Sequence, residues 1–525
     1  MTDAIVIGGG PNGLVAANLL VDAGWDVLLL EAESAVGGAV RSSTEVADGF
    51  VHDTFSSFYP LAAASPTLQK LELHRYGLEW SYPPAPVGNP MKDGGWAIVH
   101  RNPERTAAEL EAHHLGDGVA WLELCADWDR IGPAIVGALL NPFPPVRSGL
   151  AVARRLLGPR GLERLRLLIG SVRWVGEKHF GGDAARMLLT TNSQHADIGP
   201  EGAGSGLMGW LLVMLAQQVG YPVPRGGAGR LSQALADRFT ARGGSIACDA
   251  RVSRVLLRDG RATGVQTVDG DRYEARRAVL ADVSAPALYG GLVPVEQVPR
   301  RTRERMRTFS WDPGTVKVDW ALDGSIPWRD VPSAAPGTVH LARSVDELSV
   351  WAAQLAAGVV PADPFLLLGQ MTTSDPSRSP AGTESVWAYT HVPQRIREDA
   401  GGDGITGSWD RTEAERMADR MQARVEEFAP GFADRIRARR VLAPPDLEAR
   451  DANLVGGAVN GGTSALHQQV ILRPVPGLGR AETGIAGLYL ASAAAHPGGG
   501  VHGACGSNAA RAALLHDRLR VRGQR

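Results

Sequence analysis

Cysteine is scarce: the 525-residue chain has three, Cys125, Cys248 and Cys505. They lie far apart, form no CxxC pair and match no zinc-type Cys/His spacing. That excludes a disulfide framework and dithiol reductase chemistry, fits a reducing compartment and leaves no metal site to expect. Net charge is nearly absent too, since 54 Lys and Arg stand against 56 Asp and Glu. With no basic tail, nucleic acid is not an expected partner. No uncharged apolar run is long enough to cross a bilayer. Leu207 to Val219 comes nearest and carries Gln217 and Gln218 near its end. Met1-Thr-Asp leads directly into the first apolar segment, which leaves no room for a signal peptide. The expectation is a cytoplasmic protein, large enough for two or more structural units with ample core.

What the chain does have is glycine in informative places. Asp3 to Ile7 reads as a short buried strand that runs into Gly8-Gly-Gly10-Pro11-Asn12-Gly13. A helical stretch follows, then a second strand, Trp25 to Leu30, ending at Glu31. This strand–turn–helix–strand–acid unit suits a dinucleotide. Gly8 permits the tight turn, Gly10 lets backbone approach a pyrophosphate, and Gly13 allows the helix to pack on the strand. The helix N-terminus offers N–H groups to the anion, and Glu31 is placed to accept from ribose hydroxyls. Just beyond come Gly37-Gly38-Ala39-Val40-Arg41. A second glycine pair after the ribose acid resembles the extended signature of FAD enzymes in the glutathione-reductase and amine-oxidase lineage. The resemblance implies a backbone passing close to the pyrophosphate. The usual arginine directly after the pair is Ala39 here, so that role passes to Arg41.

Two further stretches extend the pattern. From Val223 a helix runs through Leu235 and Phe239 to a Gly243-Gly244 stop, and Ser245 to Val255 alternates as a strand. Asp259-Gly260 and Asp269-Gly270 mark hairpin turns around Ala262 to Thr267, and Ala278 to Asp282 is a buried strand. In the same lineage the residue at the position of Val252 sets its backbone against the adenine. The last stretch is Gly487 to Ser492, a strand, then His496-Pro-Gly-Gly499-Gly500-Val501-His502-Gly503 and an alanine-rich helix from Ala504 to Leu515. The partial positive charge at that helix N-terminus suits the pyrimidine edge of a flavin, where negative charge gathers on reduction.

His-Pro-Gly-Gly-Gly-Val-His-Gly after a Gly-Leu-Tyr-Leu strand resembles the C-terminal motif of phytoene desaturases. It is similar also in desaturase-type carotenoid ketolases and pyridine nucleotide-disulphide oxidoreductase domain-containing proteins. Gly49-Phe-Val-His-Asp53, Leu71 to Leu78, Gly456-Gly457 and Leu472 to Gly477 extend the likeness. Both ends and the middle stretch are covered well, while residues 85–220 and 300–440 are covered loosely. The resemblance implies an α/β protein: a Rossmann-like FAD-binding domain of the glutathione-reductase/amine-oxidase type, discontinuous in sequence, with an inserted α+β substrate domain. The expected division is 1–85, 222–295 and 450–525 for FAD, and 86–221 and 296–449 for substrate.

In the inserted parts, Thr315 to Ala321, Phe365 to Met371 and Ser385 to Val392 read as strands of a sheet roofing the flavin. Thr412 to Phe428 reads as a helix with Met417, Met421, Val425 and Phe428 on one face. Residues 141–180 are basic and amphipathic: seven arginines and Lys178 are interleaved with leucines against only Glu163 and Glu177. They read either as a solvated face or as a peripheral membrane contact.

In a flavoenzyme the ring carries the redox step. His496 and His502 are the catalytic candidates, for moving a proton or binding a polar end group, or else they order the turn. Tyr59 and Cys505 stand near them, more simply read as core. The cofactor-binding set is Gly8, Gly10, Pro11, Asn12, Gly13, Glu31, Gly37, Gly38, Arg41, Val252, Gly499, Gly500, Val501 and Gly503. The expected function is FAD-dependent dehydrogenation or oxidation of an apolar polyprenoid, carotenoid or lipid by hydride transfer to flavin. Electrons then leave to oxygen, a quinone or another diffusible acceptor. The alternatives are an amine-oxidase-like enzyme on a smaller polar substrate, and a non-catalytic prenyl binder similar to Rab GDP-dissociation inhibitors.

Overall fold

Parallel strands buried on both faces explain why the first segments are continuously apolar. In the computed structural model, which describes residues 1–158 and 160–523, the Thr2–Ile7 strand pairs in parallel with Val27–Leu30 on one side. On the other it pairs with Arg272–Ala281. The Pro11–Asp22 helix makes the crossover between the first two strands, with Pro11 at its first position, where a missing N–H costs nothing. Ser245–Ala247 joins beyond Val27–Leu30, and Leu488–Leu490 pairs in parallel with Arg272–Ala281. Strands from three separated stretches of chain therefore share one seven-stranded sheet.

The expected single strand Ser245–Val255 is two. Ser245–Ala247 continues the parallel sheet, whereas Val252–Arg258 starts an antiparallel meander with Arg261–Thr267. The break falls where Asp249 adopts φ +53° and gives its N–H to the Glu33 carbonyl. That turn swings Val252 beneath the carboxyl end of the first strands.

A second seven-stranded sheet runs Ile436–Leu442, Gly314–Leu322, Glu384–Val392, Leu366–Gln370, Pro336–Leu341, Ala85–Pro90, Trp96–Val99. Its strands alternate cleanly. Val316, Val318, Trp320, Val339, Leu341 and Leu368 form a core with Met417, Met421 and Val425 of the Arg411–Phe428 helix. On the opposite face the register lines up Thr315 with His391 and Lys317 with Tyr389. Along the same face it sets Tyr389 beside Leu367 and Leu367 beside His340. That second face is polar and aromatic, yet it is buried: Lys317 is 2% exposed and His340 0%. Among the described residues, seven helices between Pro103 and Gln218 pack around Trp121, Trp128 and Trp210, and the Asp183–Gln194 helix lies over the Ala85–Val99 end of the sheet.

Asp53 joins these parts. Its Oδ1 accepts from Arg378 Nη1 at 3.0 Å, the Ala228 N–H at 2.7 Å and Ser42 Oγ at 2.9 Å. Its carbonyl accepts from Lys317 Nζ at 2.9 Å.

The basic segment is three short helices, Val146–Leu156, Gly161–Ile169 and Val172–His179. Its arginines find more acid than the local sequence offers. Arg164 reaches Asp127 at 2.7 Å, and Arg173 reaches both Glu201 and Asp346 at 2.8 Å. Val146, Leu150, Leu157, Leu162 and Ile169 are exposed, Leu157 by 88%. Among the described residues no helix is long and apolar enough to cross a membrane.

Candidate functional site

A cleft of about 390 Å³ opens at the carboxyl ends of the first parallel strands, the place where α/β sheets hold nucleotides. Gly8, Gly10, Pro11 and Asn12 form its floor, Glu31, Arg41 and Val252 one wall, and Asp282, Asp451, Gly461 and Ser492 to Ala494 the other. The glycines are required by contact. Gly8 has φ +92°, and a Cβ on Gly13 would sit 2.1 Å from the Gly8 carbonyl oxygen. A Cβ on Gly10 would meet Asp282 Oδ2 at 2.8 Å, and one on Gly38 would meet Gly10 Cα at 3.0 Å. The glycine pair thus lies directly on the turn.

Glu31 is held rigidly. Its Oε2 accepts the Gly9 N–H at 2.6 Å and its Oε1 the Glu33 N–H at 2.9 Å. Arg41 donates to the Gly38 carbonyl at 3.0 Å and to the Arg450 carbonyl. Asn12 Oδ1 is buried without a hydrogen-bond partner in the protein. A phosphate-sized approach at the turn, an uncommitted amide beside it and a fixed acid at the second strand fit a dinucleotide.

Two acids on the wall were not singled out in the sequence. Asp282 accepts the Gly13 N–H through Oδ2 at 2.7 Å. Burial, reinforced by the charges of Asp451 and Glu31, pushes its carboxyl up to about 8, against the opposing pull of the Gly13 N–H. Burial likewise raises Asp451. The signal available for Asp282 was its place at the carboxyl end of a buried parallel strand. Asp451 had none, because a long insertion separates it from the other cofactor segments.

In the C-terminal glycine motif, Ser492, Ala493 and Ala494 line the cleft, and Gly499, Gly500, Val501, Gly503, His496 and His502 lie next along the chain, outside that lining. Gly503 packs on Val15 and Gly506 on the Asn12 backbone, so the Ala504–Gly523 helix abuts the start of the first helix. Burial lowers His502 to about 4, and its neutral Nδ1 accepts the Ala504 N–H at 3.0 Å. His496 Nε2 lies 3.2 Å from the Asn141 carbonyl. Gly37 and Gly13 stand behind the surface. Tyr59 is core and bonds Ser56 at 2.9 Å, and Cys505 is buried with its thiol raised.

A cluster of polar and aromatic groups lies beyond the cleft wall. His195, at the end of the Asp183–Gln194 helix, and Tyr389, on the second sheet, are half-buried, whereas the side chains of Asp197 and His391 are buried. Asp197 lies 2.7 Å from His391 Nε2 through Oδ1, and its Oδ2 accepts from Asn460 Nδ2. Burial works against charge on His391, but Asp197 overrides it and holds its pKa above the ordinary value. Asn460 precedes Gly461 of the cleft wall. Asp312 fixes this loop, accepting the N–H groups of Val459, Asn460 and Gly462 at 2.7, 2.8 and 2.9 Å. On the sheet Trp387 and Tyr389 are stacked at 5.8 Å and 11°.

Fold and cleft together define a flavin-dependent oxidoreductase with FAD as cofactor. The chain belongs to the flavin-containing amine oxidoreductase family, which matches residues 12–383. It is 29% identical to the mouse pyridine nucleotide-disulfide oxidoreductase domain-containing protein 2, over 97% of this chain and 92% of that one. It is 26% identical to a neurosporene-forming phytoene desaturase of Rhodobacter capsulatus, over 58% and 56% of the two chains. Its fold resembles that of putrescine oxidase bound to putrescine, with TM-score 0.59 and 17% identity, over 98% of this chain and 99% of that one.

Proposed function

We propose that this protein dehydrogenates or oxidises an apolar substrate of the polyprenoid, carotenoid or lipid kind. The carrying observation is the buried aromatic face of the second sheet, whose charges are already matched. Asp197 is paired with His391, Asp312 is taken by three amides, and Asp319 lies between Lys317 and Arg440. Around it Met187, Phe365, Leu367 and Trp387 form an apolar cluster with Phe58 and Met91 packed on it. Such surroundings favour hydrocarbon over a cation. The likeness to a phytoene desaturase supports the same reading.

In the assignment of roles, Gly8, Gly10, Asn12 and Gly13 hold the diphosphate, Glu31 the ribose, and Val252 lies against the adenine. Arg41 and the Gly37-Gly38 pair close the turn over the diphosphate. His496 and His502 order the glycine turn rather than transfer protons. Residues 1–85, 222–295 and 450–525 act as the cofactor unit and the two insertions as the substrate unit. FAD, when bound, supplies the two-electron acceptor for a hydride leaving the substrate. The protein's part is to exclude water with the aromatic sheet face and to hold the substrate carbon toward the cleft. Oxygen, a quinone or another diffusible acceptor then takes the electrons. The exposed leucines and arginines of 141–180 touch a bilayer surface and admit the substrate; failure to float with anionic liposomes at low salt would refute that contact.

One observation favours a second reading. The stacked Trp387–Tyr389 pair resembles what an amine-oxidase-like site would use to flank a small amine. Lys317 Nζ, 5.9 Å from the Trp387 ring centre, weighs against a cation there. Incubating the FAD-loaded protein with polyprenoids and with diamines, followed by mass analysis, separates the two. Loss of hydrogen from a polyprenoid supports the first reading, and products from amines alone would overturn it.

A further inference from the structure

Arg473 is a fully buried cation that holds backbone rather than acid. Its Nη2 donates to the Asn460 and Ala493 carbonyls at 2.8 Å each, its Nε to the Ala493 carbonyl at 3.0 Å and its Nη1 to the Thr463 carbonyl at 3.0 Å. Longer contacts of 3.3 and 3.4 Å reach the Gly462 carbonyl. Among the described residues no carboxylate pairs with it. The other buried arginines, Arg238, Arg378, Arg420 and Arg424, each meet at least one. The segments that Arg473 ties together are cleft wall: Val459, Gly461 and Ser492 to Ala494 line the cleft. A Cβ on Gly498 would stand 3.1 Å from the Arg473 Cζ, so the guanidinium lies just behind that lining. With adenosine assigned to Glu31 and Val252, and the diphosphate to the Gly8–Gly13 turn, this wall is left for the flavin.

Few other charges stand near it. Burial lowers His496 and His502, so both are neutral near pH 7, and the Cys505 thiol, pushed up to about 12 by burial, keeps its proton. Asp197, beyond Asn460, is paired with His391. Asp312 grips the same loop from its N–H side and does not meet the guanidinium. A hydride brings two electrons and one proton to the cofactor, so reduction adds one negative charge unless a second proton follows. A positive charge buried behind the wall favours that state. One unit charge acting on another through protein shifts such an equilibrium about tenfold.

We propose that Arg473 is a positioning residue that raises the reduction potential of FAD: it joins the two wall segments at the flavin end of the cleft and sets its charge behind them. The proposal rests on the FAD reading and not on the choice of substrate. Titration of the FAD-loaded protein with dithionite against a reference dye tests it with no substrate present. Arg473→Gln removes the charge, and bound FAD should become about tenfold harder to reduce, a fall of about 30 mV in a two-electron potential. Arg473→Lys keeps the charge but cannot span the Asn460, Gly462, Thr463 and Ala493 carbonyls. Its potential should stay near that of wild type while FAD is held more weakly. A guanidinium that merely ties backbone together would affect oxidised and reduced FAD alike. An unchanged potential in Arg473→Gln therefore overturns the proposal, as does an equal fall in Arg473→Lys. Should Arg473→Gln fail to hold FAD, the wild-type protein still decides. Between about pH 5 and 7, Asp282, at about 8, keeps its proton. In that range reduction should change from taking up two protons to taking up one, at a pH about one unit below that of free FAD. A change at the same pH as free FAD, or above it, overturns the proposal. Wild-type protein that binds no FAD overturns the FAD reading, and this proposal with it.

Discussion

Replacing Asp282 by asparagine should abolish the pH dependence of FAD binding expected of the wild-type protein. In the free protein, burial and the charges of Asp451 and Glu31 push the Asp282 carboxyl up to about 8. The cofactor's diphosphate brings further negative charge into the same cleft, which raises that value again in the complex. A group whose pKa rises on binding contributes affinity below its free value and loses it as the pH climbs through that value. Binding then takes up one proton wherever the free protein has lost it. Such a carboxyl is about 10% charged near pH 7 and about 90% charged near pH 9. The affinity for FAD should therefore fall about tenfold between those conditions, or about 1.4 kcal/mol. The side-chain amide of Asp282→Asn keeps an oxygen for the Gly13 N–H but cannot ionise, so the variant's profile should be flat. Quenching of FAD fluorescence across this range, with free FAD as control, measures both. A wild-type profile as flat as that of the variant would refute a carboxyl kept neutral by its surroundings.

Gly13→Ala places a Cβ 2.1 Å from the Gly8 carbonyl oxygen and must push the helix off the strand. At about 2 kcal/mol of overpacking the dissociation constant of FAD should rise roughly thirtyfold by the same titration. Glu31→Gln turns an acceptor of the Gly9 and Glu33 N–H groups into a side chain that faces one of them with its own donor. A loss of about 1–3 kcal/mol in FAD affinity is expected, and unchanged retention on desalting would contradict it. Asp312→Ala strips the acceptor from three backbone amides. It should lower the unfolding temperature and release FAD from a loosened cleft wall; a variant as stable as wild type would show the loop to be held by other contacts.

Much of the cofactor cleft was legible because its determinants are local. Gly8, Gly13 and Glu31 sit within one strand–helix–strand unit, where turn sterics and hydrogen bonds fix spacing in sequence. Thr315 to Ala321 and Ser385 to Val392 were likewise legible as strands. What their faces meet was not legible. His391, Asp197 and Asn460 come together only through the docking of distant segments, contacts with no sequence spacing to betray them. The pattern of the C-terminal glycines was plain in the sequence, whereas the contact of Gly503 and Gly506 with Val15 and Asn12 of the first helix was not, because it depends on how two distant helices dock. Asp249 hid the break in the Ser245–Val255 segment, because alternation carried on past a residue that turns the chain.

The central claim is that substrate electrons enter FAD from an apolar molecule held beside the cleft. Anaerobic mixing of the FAD-loaded protein with a solubilised polyprenoid, followed by flavin absorbance, tests it most directly. Bleaching of the oxidised flavin band by the polyprenoid, and not by a diamine, is the predicted result. A band that stays intact with polyprenoids and bleaches with the diamine would contradict the account.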